Sequence, residues 1–260
     1  MNYEKEIEVA KKVARESGKT ILEYFDFGNK EQGVEYKDDK SPVTKADVLI
    51  NEYIIEELLN EFPEDGVIGE ERSTSTYGMG RKWICDPIDG TAAFTWGMPI
   101  AMFSLALVID GRPVLGVAYD AFLDKMYFGV KEKGSFCNDI RLEVSDNNLD
   151  GGKVAVTSNP YKIKNLNYIS KFEEAGVQLR TLNGAVYKSC LVAKGKFEGY
   201  VEHIVGPHDM AAMQVILEEA GGKMTAIDGS ELDYSQPFKG AIASNGKVHD
   251  EIVEIVNRGI

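Results

Sequence analysis

Cysteine is scarce in this 260-residue chain: Cys85, Cys137 and Cys190 are odd in number, far apart and form no CxxC pair. That excludes a disulfide framework, argues against a zinc–thiolate site and fits a reducing, cytoplasmic setting. Positive charge is also short. Twenty-nine bases face 42 acids, for a formal charge of −13. Nucleic acids and anionic membranes need a basic face, so neither is expected as a partner. A small anionic substrate stays open, because bound cations can reverse the sign locally. No apolar run approaches the length that spans a bilayer, and the opening MNYEKEIEVAKK is charged and helical in pattern, unlike a signal peptide. Internal repeats and low-complexity tracts are lacking too. What remains is ordinary for a globular protein, with 43% hydrophobic and 27% charged residues.

Residues 3–27 carry Ile7, Ala10, Ala14, Ile21, Leu22 and Phe25 at helical spacing. The polar stretch 28–43 lacks periodicity and apolar anchors and reads as an exposed, mobile loop or a loose hairpin. A helix is expected from Thr44 to about Asn60, opened by a capping box with Asp47 at its third position. AMFSLALVI, PVLGVAY and KMYFGV form a β-meander, with Asp110-Gly111 as a hairpin turn. The polar, Gly-rich stretch 143–153 separates an N-terminal α+β half (1–147) from a C-terminal α/β half (148–260) in which strands and helices alternate. Helices are expected at 164–175, 185–194, Met210–Ala220 and the last ten or so residues.

Chemistry concentrates at Trp83-Ile84-Cys85-Asp86-Pro87-Ile88-Asp89-Gly90-Thr91. An apolar strand is expected to stop at Asp86, at a sheet rim where open α/β folds place ligands. Two close carboxylates repel unless a cation lies between them, and oxygen-only donors favour magnesium, manganese or calcium. A helix beginning near Ala92 would turn the amides of Gly90, Thr91 and Ala92 toward an anion such as phosphate. Cations beside an anion cradle suggest metal-assisted phosphoryl chemistry. Asp47, Glu70 and Asp209 are further candidates, each with a plain alternative: cap, surface acid and N-cap. Phe94 and Trp96 read as core rather than as stacking groups.

Taken in order, these residues resemble the inositol monophosphatase superfamily of magnesium-dependent, lithium-sensitive phosphatases. The match runs through Val43-Thr44-Lys45-Ala46-Asp47, Gly69-Glu70-Glu71, Asp86–Thr91 and His208-Asp209-Met210-Ala211, followed by Glu218–Gly222. The resemblance implies a layered αβαβα sandwich and a homodimer. It implies one metal ion on Glu70, Asp86 and the Ile88 carbonyl, a second on Asp86, Asp89 and Asp209, and a weaker third on Glu70 and water. Two or three Mg²⁺ ions, with Mn²⁺ a possible substitute, would serve there. Asp47, Glu70 and Thr91 would be catalytic, Asp47 and Thr91 by positioning the attacking water, and phosphate would rest on the amides of Gly90 and Thr91. Attack by water needs no Cys or His nucleophile, in keeping with only three histidines.

His208 departs from the family pattern, which has Trp there. It stands as a packing substitution beside a retained Asp209, or as a change in metal affinity or pH dependence. Glu202 matches an acidic position used on sugar hydroxyls, or else ends an exposed strand. Lys188 resembles a lysine of phosphoadenosine-phosphate phosphatases, or else is solvated on a surface helix. The expected substrate is a small phosphorylated polyol or sugar, foremost inositol monophosphate. A 3′(2′),5′-bisphosphate nucleotide, histidinol phosphate and fructose 1,6-bisphosphate follow. A metal-binding interaction protein and a calcium-stabilised structural domain are the non-enzyme alternatives.

Overall fold

The computed structural model describes residues 3–25, 33–37, 42–157 and 167–258. Helix α1 spans Glu4–Tyr24 and buries Ala10, Val13, Ala14, Ser17, Gly18 and Ile21, a stripe at three- and four-residue spacing. Helix α2, Lys45–Glu61, opens with the expected capping box: Asp47 accepts the Thr44 N–H at 2.7 Å, and the Thr44 hydroxyl accepts the Asp47 N–H at 3.4 Å. Between the two helices, β1 (Glu35–Tyr36) pairs antiparallel with β2 (Pro42–Val43), so the described part of the expected loop is a small hairpin.

The first sheet runs in chain order through β3 (Gly66–Gly69), β4 (Arg81–Asp89), β5 (Met102–Ile109), β6 (Arg112–Asp120), β7 (Lys125–Val130), β8 (Gly134–Cys137) and β9 (Ile140–Arg141). Only β3 and β4 pair in parallel; the others form the meander. Asp110 and Gly111 both take positive φ, 49° and 74°, as the tight β5–β6 turn requires. A short helix α3, Thr91–Thr95, follows β4.

A second sheet has the order β11-β10-β12-β14-β13. Its strands are β10 (Lys153–Val156), β11 (Gln178–Thr181), β12 (Gly199–Glu202), β13 (Lys223–Thr225) and β14 (Ala241–Ser244). Between and after them lie α4 (Tyr168–Glu174), α5 (Ala185–Ala193), α6 (Pro207–Glu218) and α7 (His249–Arg258). β10 pairs in parallel with β11 and β12, whereas β14 is antiparallel to both its neighbours.

Three apolar cores make this an αβαβα sandwich. Trp83, Cys85, Phe103, Leu105 and Val117 pack under α1 and α2. The alternate residues Ile84, Ala106 and Ala118 pack with α5, α6 and the inner face of the second sheet. Val154, Val156, Val201 and Ile242 meet α4 and α7 on its outer face. The period-2 alternation of a strand buried on both faces thus sorts one sequence into two cores. Helix α6 lies directly on the first sheet because Gly116 and Gly129 have no side chains. A Cβ at Gly116 would stand 2.3 Å from the Ala212 carbonyl oxygen, and one at Gly129 3.0 Å from Ile216 Cα. Trp83 is fully buried and its Nε1–H donates to Asp65 Oδ2 at 2.9 Å, which removes the cost of burying an indole N–H.

Three expectations need correction. β4 does not stop at Asp86; it continues to Asp89 through a break in register. Trp96 is 66% exposed rather than core, while Phe94 is buried. Helix α6 begins at Pro207, not Met210, because proline at N1 is already shaped for a helix start.

Candidate active site

Two aspartates three residues apart on a regular strand would point to opposite faces. Between Asp86 and Asp89 the register of β4 against β5 shifts, and Pro87 offers no N–H to the ladder. The distortion brings both carboxylates to one side, and the Ile88 N–H closes the bend on Asp86 Oδ1 at 2.9 Å. Glu70 arrives by a different route. Parallel pairing sets Gly69 opposite Cys85 and the Glu70 N–H donates to the Cys85 carbonyl at 3.2 Å, so Glu70, the first residue past β3, comes beside Asp86 of β4. Asp209 is the third residue of α6 and accepts the Gly206 N–H at 2.7 Å.

These four acids, with His208, form two groups that share Asp86. One ligand atom each from Asp86, Asp89 and Asp209 lie within 4.8 Å of one another, and so do those from Glu70, Asp86 and His208. Asp89 is held by the first turn of α5: Ala185 N–H reaches Oδ1 at 2.9 Å and Val186 N–H reaches Oδ2 at 2.8 Å. Thr91 opens α3 behind Gly90, which takes φ +87°. Its hydroxyl lies 2.9 Å from the Ile88 carbonyl and 3.3 Å from Asp47 Oδ1. Asp47 is therefore both the acidic member of the α2 capping box and part of this corner.

Glu202 and Lys188 meet each other rather than solvent. Lys188 Nζ lies 2.9 Å from Glu202 Oε2, both side chains are buried, and the ammonium sits 4.7 Å from the Tyr200 ring centroid. Glu202 Oε1 is buried without a hydrogen-bond partner among the described residues. Neither the solvated lysine nor the exposed strand end expected as alternatives is found.

Other groups gave no signal in the sequence. Lys37 binds Glu70 Oε1 at 2.7 Å and Glu71 Oε1 at 2.6 Å. Asn51 Oδ1 receives the Glu71 and Arg72 amides, each at 3.4 Å, and steadies the turn after Glu70. Gly184 faces Gly90 closely and takes φ +78°. Only their tertiary neighbours mark these residues, and no local periodicity could have done so.

Burial pushes Asp47 up to about 7, against hydrogen bonds from Thr44 that lower it. Burial and Asp209 raise Asp89 to about 7, although the Ala185 and Val186 amides oppose this. Asp86 is pushed well above the carboxylate range by burial, then by Glu70, Asp89, Asp209 and Asp47. Burial raises Asp209 as well, partly offset by His208 and the Gly206 N–H. For Lys37, burial alone would lower the ammonium, but Glu70 and Glu71 outweigh it and hold it above the usual lysine range. Such a crowd of buried oxygens cannot all ionise without positive charge among them. The donor set fits hard divalent cations.

A model of the inositol monophosphatase family matches residues 2–260. The chain belongs to the inositol monophosphatase family. It is 34% identical to a fructose-1,6-bisphosphatase/inositol-1-monophosphatase of Aquifex aeolicus, over 99% of this chain and 97% of that protein. It is 32% identical to a histidinol-phosphatase of Mycobacterium tuberculosis, over 90% and 91% of the two chains. The solved IMPase of Thermotoga maritima superposes with a TM-score of 0.85 at 30% identity, covering 98% of this chain and 97% of that one. Membership makes this chain a phosphomonoesterase, and the family depends on divalent metal. Among the described residues no helix is long and apolar enough to cross a membrane.

Proposed function

We propose that this family member is a Mg²⁺-dependent phosphomonoesterase acting on a small phosphorylated polyol or sugar, inositol monophosphate foremost. The observation that carries this reading is the pair of ligand groups joined at Asp86, set beside the Thr91–Asp47 contact. Glu70, Asp86 and the Ile88 carbonyl would hold one ion, Asp86, Asp89 and Asp209 a second, and Glu70 with water a weaker third. Mn²⁺ has the same taste for oxygen and could substitute. When bound, such ions neutralise phosphate charge, make a water acidic enough to attack and stabilise the leaving alkoxide.

The chain's own groups supply position. The amides of Gly90 and Thr91 would receive the phosphate oxygens. A threonine hydroxyl has one proton to give, and here it lies between the Ile88 carbonyl and Asp47 Oδ1. Turning it to Asp47 would free the Ile88 oxygen for a cation and leave the Thr91 lone pairs to accept from the attacking water. Attack in line on phosphorus breaks the P–O bond to the alcohol without a covalent enzyme intermediate. Glu202 Oε1, buried and without a partner among the described residues, would accept a substrate hydroxyl. Engagement of Lys188 by Glu202 counts against the bisphosphate nucleotide reading, since that ammonium is already paired. A cytoplasmic homodimer is part of the same reading.

Phosphate release should be followed with and without Mg²⁺ on inositol 1-phosphate, histidinol phosphate, fructose 1,6-bisphosphate and phosphoadenosine phosphate. The highest kcat/KM is expected for the inositol ester, with inhibition by millimolar Li⁺. A clear preference for either bisphosphate would overturn the substrate assignment, and Mg²⁺-independent release would overturn the metal roles.

A further inference from the structure

His208 is the second residue of α6. Its Nε2 lies 3.3 Å from Asp209 Oδ2, and it joins Glu70 and Asp86 in a group whose ligand atoms lie within 4.8 Å of one another. The backbone pins the residue there. The Ser104 hydroxyl of β5 donates to the His208 carbonyl at 3.1 Å, and the ring lies alongside Gly206, where an added Cβ would stand 3.4 Å from its Cε1. The side chain keeps 30% of its exposure, so an ion can reach it from solvent. The other two histidines are engaged elsewhere: His249 between the hydroxyls of Thr225 and Ser244 at 2.9 and 2.8 Å, and His203 stacked on Tyr168.

The two groups that share Asp86 thus differ in chemistry. Asp86, Asp89 and Asp209 offer oxygen alone, which suits Mg²⁺. Glu70, Asp86 and His208 add an imidazole nitrogen, which raises affinity along the series from Mn²⁺ through Co²⁺ to Zn²⁺ far more than for Mg²⁺. We propose that His208 supplies a nitrogen ligand to a cation held by Glu70 and Asp86, so that one of the two adjoining cation positions prefers borderline transition metals. The proposal rests on the phosphatase reading only for the place of the cations.

The test uses the full chain freed of metal with EDTA, then dialysed and titrated calorimetrically with Zn²⁺, Co²⁺ and Mg²⁺ without substrate. His208→Gln is expected to weaken Zn²⁺ and Co²⁺ at least tenfold and Mg²⁺ by less than about threefold. In the unmodified chain, long-range proton–nitrogen spectra should show one ring nitrogen of His208 shifting on Zn²⁺ saturation, with His203 and His249 unmoved. That second measurement stands even where the variant fails to fold. Equal loss for all three metals, no loss for Zn²⁺, or an unmoved His208 ring would each overturn the proposal. A chain with the nitrogen signature but no phosphate release would sink the hydrolase reading and leave this one standing. Release with Mg²⁺ but no such signature would do the reverse.

Discussion

Replacing Asp86 by Asn should stabilise the cation-free protein while disabling it as a catalyst. Asp86 is buried among Asp47, Glu70, Asp89 and Asp209, and burial with those charges lifts its carboxyl well above the ordinary range. Raising Asp47 and Asp89 from 3.8 to about 7 corresponds to about 4 kcal/mol each for keeping the group ionised in the fold. These acids share one set of repulsions, so the total cost is several kcal/mol rather than a sum over groups. The folded chain keeps protons that the unfolded chain releases between pH 3.8 and about 7. Without cations, stability therefore falls as pH rises through that window. Asparagine removes the cost of either ionising or protonating that buried group, and its Oδ1 can still accept the Ile88 N–H. A gain of about 2–3 kcal/mol at pH 8 would raise Tm by roughly 4–12 °C for a chain of this size. Melting in EDTA from pH 5 to pH 8 should show the variant above the parent at pH 8 and the difference shrinking toward pH 5. Mg²⁺ should lift the parent more than the variant, and kcat with Mg²⁺ should fall at least about 100-fold in the variant. A variant that melts below the parent at pH 8 in EDTA, or a parent whose Tm is flat across this range, would refute the electrostatic account.

Three further outcomes are expected. Lys188→Met strands Glu202 as a buried, unpaired charge and should cost about 3–5 kcal/mol in urea unfolding, most of it recovered in the double variant with Glu202→Leu. Gly184→Ala places a Cβ 3.1 Å from Asp89 Oδ2 at φ +78°; it should cost about 1–2 kcal/mol and lower kcat, whereas unchanged values of both would show that Asp89 needs no such clearance. Gly116→Ala pushes a methyl group into the Ala212 carbonyl and should destabilise by about 1–3 kcal/mol, read as a lower Tm at constant ligand.

Local chemistry was the legible part of this chain. Thr44 and Asp47 announce their capping box because both partners lie within one turn. Asp110-Gly111 announces its hairpin because only certain residues tolerate the required φ. The carboxylates of Asp86 and Asp89 could be singled out, but the bend that turns them to one side depends on register against β5 and carries no sequence signal of its own. The pairing of Lys188 with Glu202 joins α5 to β12, so helix periodicity could not reveal that this lysine is buried. Lys37 looks like one charge in a charged run until its contacts with Glu70 and Glu71 are seen. Trp96 misled for the opposite reason: large aromatic residues are usually buried, and this one stands 66% exposed.

The seating of α6 on Gly116 and Gly129 has a bearing on how competence is acquired during synthesis. The ribosome releases Asp86 and Asp89 early, yet Asp209 reaches them only when a late helix has settled onto strands made long before. Refolding should therefore restore turnover last, after secondary structure and tryptophan burial have recovered. A nascent or truncated chain would lack Asp209 and with it the last carboxylate of the proposed cation group.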